Sequence, residues 1–261
     1  MPNLFRPVLA VLLAGLLAPA VCGHFNILLP QTASARKGDT VAFVYQFGHP
    51  FEHELFDAPP PAHLIVIAPD GEKTQLAKTL EKIKVPPGDK KEVTAYRFRF
   101  TPQQRGDYTF ILETPPIWME EDKHFIEDTV KVVLHVQAQK GWDADVEGFR
   151  IVPLTRPYGL QPGMVFQAQL FGGLGKGLPR ALVEIERFNP APPAKLPPDE
   201  HITRTARTDP NGVVTTTLPE AGWWSITGHA DGGRRERNGK MYPVRARATL
   251  WVWVDGKATG K

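Results

Sequence analysis

Along most of this chain, apolar residues recur at every second position. "TVAFVYQF" (40–47), "HLIVIAPDG" (63–71), "VTAYRFRF" (93–100), "DYTFILET" (107–114) and "DTVKVVLHV" (128–136) show this alternation. It is the period of strands buried on one face, and prolines and glycines punctuate it. The segment "QKGWDADVEGFR" (139–150) breaks the rhythm, and a second series follows: "MVFQAQLF", "ALVEIERF", "VVTTTL", "WWSITGHA" and "VRARATLWVWV". Asp70-Gly71 and "TDPNG" (208–212) are turn sequences between strands. In "RGDYTF" a turn runs into a strand that opens on Tyr108, the pattern of a tyrosine corner. The pattern predicts an all-β protein of two β-sandwich domains. The first, Ig-like, covers about 24–140, with 141–150 as linker, 151–255 as the second sandwich and 256–261 as a tail. The proline-rich "NPAPPAKLPPDE" (189–200) reads as an extended loop inside the second sandwich, because strand pattern resumes on both sides.

Residues 1–23 depart from this pattern. Arg6, the apolar "PVLAVLLAGLL" and then small residues spell a secretory signal peptide. Cleavage after Ala20 or after Gly23 fits the small-residue rule, and the second choice makes His24 the first residue. Cys22 does not read as a lipidation site, since Pro19 and Val21 stand where Leu and a small residue are wanted. It is the only cysteine of the 261 residues, so packing rather than disulfides must stabilise the exported chain. With 31 basic and 28 acidic residues interleaved, the net charge of +3 gives no basis for nucleic-acid binding. No second apolar run is long enough to span a membrane. There is no phosphate loop, dinucleotide fingerprint, nucleophile elbow or mature cysteine nucleophile, so no enzyme class is indicated.

Candidate chemistry concentrates in "GHPFEHELFD" (48–57). His49 and His53 are four residues apart. In an extended strand their Cα atoms would lie about 13 Å apart, too far for one ion held at about 2.0–2.1 Å from each nitrogen. In a helical turn they approach to about 6 Å. Joint ligation therefore requires the chain to leave the strand after Gly48, with Asp57 or Glu52 adding an oxygen donor. The stretch also spells HxxEH, the inverted zinc-protease motif, but that motif needs a helix longer than this segment allows. His24, if it is the first residue, can chelate an ion through its α-amino group and ring together. In "WMEEDKHFIEDT" (118–129), Glu120, His124 and Asp128 are spaced for one helical face, although a solvated acidic crossover explains them as well. His135 reads as decorating a strand's outer face, and His63 and His229 as strand-edge histidines.

The segments "GHFNILLP", "YQFGHPFEHELFDAP", "TPPIWMEEDKHFIEDTVKVVLHVQAQKGWD" and "TDPNGVVTTTLPEAGWW" resemble an exported bacterial family of unknown function. Its members are often labelled periplasmic components of nickel or cobalt transport, and their mature chains start with a histidine. The resemblance covers the whole mature chain and implies a transthyretin-like second sandwich. It also implies a periplasmic protein that passes Ni²⁺ or Co²⁺ to a membrane transporter by ligand exchange, without bond chemistry. The expected ligands are His24, His49 and His53, with Asp57 or Glu52; copper and zinc suit the same donors. Two alternatives stay open at this point. One is a metal-free module that binds a protein or glycan through Trp223-Trp224 and the proline-rich loop. The other is a copper protein with a histidine brace at His24.

Overall fold

The computed structural model describes residues 23–86 and 92–256. The expected signal peptide, Gly23 apart, and the expected tail, Gly256 apart, lie outside the described residues. Among the described residues the protein is all-β, with short 3₁₀ turns only at Ala77–Thr79 and Asp199–His201. No helix among them is long and apolar enough to cross a membrane.

Three sheets form the molecule. A five-stranded sheet runs Phe25–Pro30, Val41–His49, Val93–Phe100, Glu81–Val85, with Glu54–Phe56 added beside Val41–His49. A three-stranded sheet runs Arg150–Pro153, Val165–Phe171, Val213–Thr217. Between them a ten-stranded sheet passes through both halves of the chain, because His124–Val136 pairs in parallel with Lys240–Val254, from Phe125 opposite Val244 to Val132 opposite Trp251. The halves are thus joined by a ladder of backbone hydrogen bonds as well as by residues 141–150.

Side-chain alternation on the shared sheet explains its two cores. On Lys240–Val254, Ala248, Leu250, Val252 and Val254 enter the core under the three-stranded sheet, together with Val183, Ile185 and Ile226. Trp251 turns the other way, into the core of Phe25, Phe43, Phe110 and Val130. Strand period two sends successive residues to opposite faces, and both faces are covered here, so "TLWVW" is buried throughout its first four residues.

Polar pairs fasten the segment after the first half. Buried Lys131 donates to Asp145 at 2.6 Å and to the Ile151 carbonyl at 3.1 Å. Burial holds the Lys131 ammonium below its usual pKa, and Asp145 opposes that. Fully buried Asp107 accepts from the Tyr158 hydroxyl at 2.8 Å, pairs with His135 Nδ1 at 2.7 Å, and accepts from the Lys140 amide. The tyrosine corner is present, with the Gln104 amide donating to the Tyr108 hydroxyl at 2.9 Å.

A polar layer also crosses the first sandwich. Arg247 grips Asp128 through Nε and Nη2 at 2.6 and 2.5 Å, the Asn26 amide donates to the same carboxylate, and the Tyr45 hydroxyl donates to Asn26 Oδ1 at 2.7 Å. Burial, with Asp128 nearby, pushes the Tyr45 hydroxyl well above its usual pKa, so it remains a donor. This layer lies directly under the first described residues of the chain.

Candidate functional site

His24 precedes the strand Phe25–Pro30, whose register sets Phe25 opposite Gly48 and Asn26 opposite Phe47. Continuing that register brings His24 alongside His49. Their ring centroids are 4.5 Å apart at 85°. A ring bound through nitrogen has its centroid about 3.2 Å from the ion, so two rings sharing an ion lie within about 6.4 Å of each other. The pair fits that limit. Phe56 and Phe47 wall the His24 ring at 4.8 and 5.6 Å.

Burial, then the neighbouring His49 and Arg247, lower the His24 pKa to about 4, against the opposing pull of Asp122 and Glu54. At neutral pH the ring is therefore uncharged, the form that ligates metals. The two imidazoles open into a cleft of about 370 Å³, whose far wall is the Ile117–Met119 strand and the loop Glu120–Asp122. Trp118 there stacks edge-on against Phe125 and Tyr242 and lies under the Arg237 guanidinium. Of the two readings of 118–129, the helical face is not formed: the segment is a β-hairpin whose acidic loop joins two strands, with Met119 opposite His124. Glu120 bonds Trp118 and Lys123, while Asp128 is committed to Arg247. The acidic loop is legible in the sequence as a charged crossover; its place opposite His49 comes from the packing of the ten-stranded sheet on the five-stranded one.

Gly48 fixes the direction of His49. A Cβ at this position would lie 2.1 Å from the Glu54 carbonyl oxygen and 2.8 Å from the Leu55 Cα, so only glycine lets Glu54–Phe56 fold back on Val41–His49. Gly48→Ala is expected to cost about 2–4 kcal/mol in denaturant unfolding.

The strand does not turn helical after Gly48, which separates the remaining expected ligands. It continues to His49, and residues 50–53 form a tight reversal in which His53 takes a left-handed φ of 54°. His53 consequently faces the second half, where its Nδ1 lies 2.8 Å from the Asn189 carbonyl and its ring packs on Phe188. Asp57 lies on the surface, accepting from the Thr94 amide at 2.7 Å and standing 3.7 Å from Lys84. Those Thr94 hydrogen bonds hold its carboxyl below the usual range. Glu52 also leaves the cleft, with Oε2 buried and without a hydrogen-bond partner among the described residues. The five expected ligands therefore do not converge: His24 and His49 meet, and His53, Glu52 and Asp57 do not join them. Phe47 and Phe56 line the cleft, while Phe51 is drawn into the joint between the halves. Among the described residues, no three His, Cys, Asp or Glu side chains are grouped to hold a metal.

That joint is organised by Glu186. It accepts from the Phe51 amide at 3.0 Å and from Thr203 at 2.5 Å, while Asn189 clasps the Phe51 and Pro50 carbonyls. Burial raises the Glu186 pKa to about 8; the Thr203 and Phe51 hydrogen bonds oppose this, and Glu52 and Glu184 add to it. A carboxyl raised on folding keeps its proton in the folded state at pH values where the unfolded chain has lost it. Its contribution is complete at pH below the unfolded value, near 4.5, and is lost as pH rises towards 8. Stability should fall by about 1.5 kcal/mol between pH 6.5 and 8, above the range in which His24 titrates. Glu186→Gln should flatten that decline in denaturant melts.

Fold and site thus define an all-β scaffold with a paired-imidazole cleft beside its first described strand. Residues 21–230 match the family described as a domain of unknown function, DUF4198, and the chain belongs to this family. No protein of curated function matches it. Among solved structures it is similar to Escherichia coli α2-macroglobulin activated by porcine elastase (15% identity, TM-score 0.26, 89% of this chain and 20% of that one). It is also similar to a DUF4785 family protein of Legionella pneumophila (10%, 0.27, 77% and 51%) and to latent PorU of Porphyromonas gingivalis (10%, 0.21, 88% and 20%). The chain spans only a fifth to about half of those chains, and likeness at these TM-scores carries no functional argument.

Proposed function

We propose that this protein binds a late first-row divalent ion as cargo in the cell envelope, on His24 and His49, and releases it by ligand exchange. The observation that carries the reading is the contact between these two imidazoles, one held neutral by burial, at the mouth of a cleft edged by Glu121 and Asp122. Two protein nitrogens alone leave most coordination positions to water or to an acceptor, which is the lability a carrier needs and a closed structural site lacks. The carboxylates at the rim attract cations to the mouth. Nickel or cobalt is the cargo in this reading, the periplasm its compartment and a membrane transporter its acceptor. Copper(II) is the ion that imidazole nitrogens hold most tightly. Titrating the chain beginning at His24 with Ni²⁺, Co²⁺, Cu²⁺ and Zn²⁺ by calorimetry tests the reading. One equivalent should bind with a micromolar or tighter Kd, and weak multi-site binding of every ion would overturn it.

A further inference from the structure

Glu184 is fully buried, and among the described residues neither of its carboxylate oxygens has a hydrogen-bond partner. His229 Nε2 lies 3.0 Å from Oε2 but without hydrogen-bond geometry. Arg247, the buried cation whose charge Glu184 also feels, is spent on Asp128. Among the described residues the layer therefore holds two buried carboxylates, Asp128 and Glu184, against one guanidinium. A buried carboxylate without a donor is among the costliest groups a protein can carry, and such groups are ordinarily paired.

The missing partner is indicated by the backbone beside it. A Cβ built on Gly23 would lie 2.9 Å from Glu184 Oε2 and 3.1 Å from the Phe25 ring, so the chain passes against the carboxylate immediately before His24. The His24 nitrogen is two bonds, about 2.4 Å, from the Gly23 Cα. We propose that Glu184 is the seat of the amino terminus released by cleavage of the Gly23–His24 bond, pairing in the buried layer with the α-ammonium of His24. Hydrolysis of that peptide bond consumes one water and leaves the Gly23 carboxylate on the departing leader and the ammonium on His24. Processing thereby supplies the second positive charge of the layer. It also fixes the backbone of His24, so Glu184 is a positioning residue for the imidazole that meets His49. This rests on the reading of His24 as part of the cargo site, but the pairing itself requires no metal.

The test is a cycle run in EDTA, so that it reads the terminus and not the ion. Four forms of the exported chain are compared by thermal melting: beginning at His24, beginning with Gly-Ser before His24, and each of these with Glu184→Gln. Breaking a buried pair of this kind lowers the Tm by about 10 °C. The His24 form should lose that much on either change alone, and the extended form should lose little more on Glu184→Gln. Additive effects of the two changes would overturn the proposal, as would a mature terminus at Val21 by mass spectrometry of the secreted protein. If Glu184→Gln does not fold, acetylating the His24 amine of the wild-type chain is the second arm. An unchanged Tm overturns the pairing, and a drop of the same size supports it. Loss of metal binding with the cycle intact would sink the cargo reading and leave this one standing.

Discussion

His49→Ala should weaken divalent-ion binding at least 100-fold, and His53→Ala should leave it within about twofold of the parent protein. The two histidines sit four residues apart and look interchangeable in the sequence, so the contrast is the sharpest consequence of the geometry. His49 ends a strand and meets His24 across a centroid distance of 4.5 Å. His53 lies beyond a reversal, in a left-handed backbone, against the Asn189 carbonyl. Removing one of the two imidazole ligands forfeits the chelate, because the remaining ring alone binds an ion no better than a surface histidine does. Calorimetry on both variants checks this, with circular dichroism melts to show that each is folded. His53→Ala should instead loosen the joint with residues 188–189 and lower the Tm by a few degrees.

The largest expected stability effect lies in the layer beneath the site. Arg247→Met should cost about 3–5 kcal/mol, because it strands the Asp128 carboxylate, 3% exposed, with only the Asn26 amide and no charge partner. Adding Asp128→Asn should recover part of that loss, since an amide is cheaper to bury than an unpaired carboxylate. Urea unfolding of the two single variants and the double variant measures the coupling. A sum of independent effects would mean that the pair does not act as a unit.

Much of the fold is legible in the alternation. "VTAYRFRF" and "DYTFILET" each read as strands, and they are strands at Val93–Phe100 and Gly106–Glu113. The shared sheet is not legible, because parallel pairing of His124–Val136 with Lys240–Val254 joins residues over a hundred positions apart and leaves no local signal. The same blindness hid the buried charges. Glu184 and Glu186 in "ALVEIER", and Arg247 in "VRARATLW", alternate with apolar neighbours as solvent-facing strand residues do. Their outward face is covered by the first sandwich, a fact of tertiary packing. At the site, His24 and His49 were each legible as metal-binding residue types. Their meeting depends on the Phe25–Gly48 register, and the equal-spacing argument for His53 failed because a glycine at position 48 served a β-hairpin rather than a helical turn.

The most direct test of the cargo site follows the imidazole Hε1 resonances by NMR, in the chain beginning at His24, as one equivalent of Ni²⁺ is added. The signals of His24 and His49 should broaden together and saturate at a single equivalent, with those of His53, His63 and His201 unmoved. Broadening of His53 alongside His49, or gradual broadening of all histidines without saturation, would contradict the paired-imidazole site.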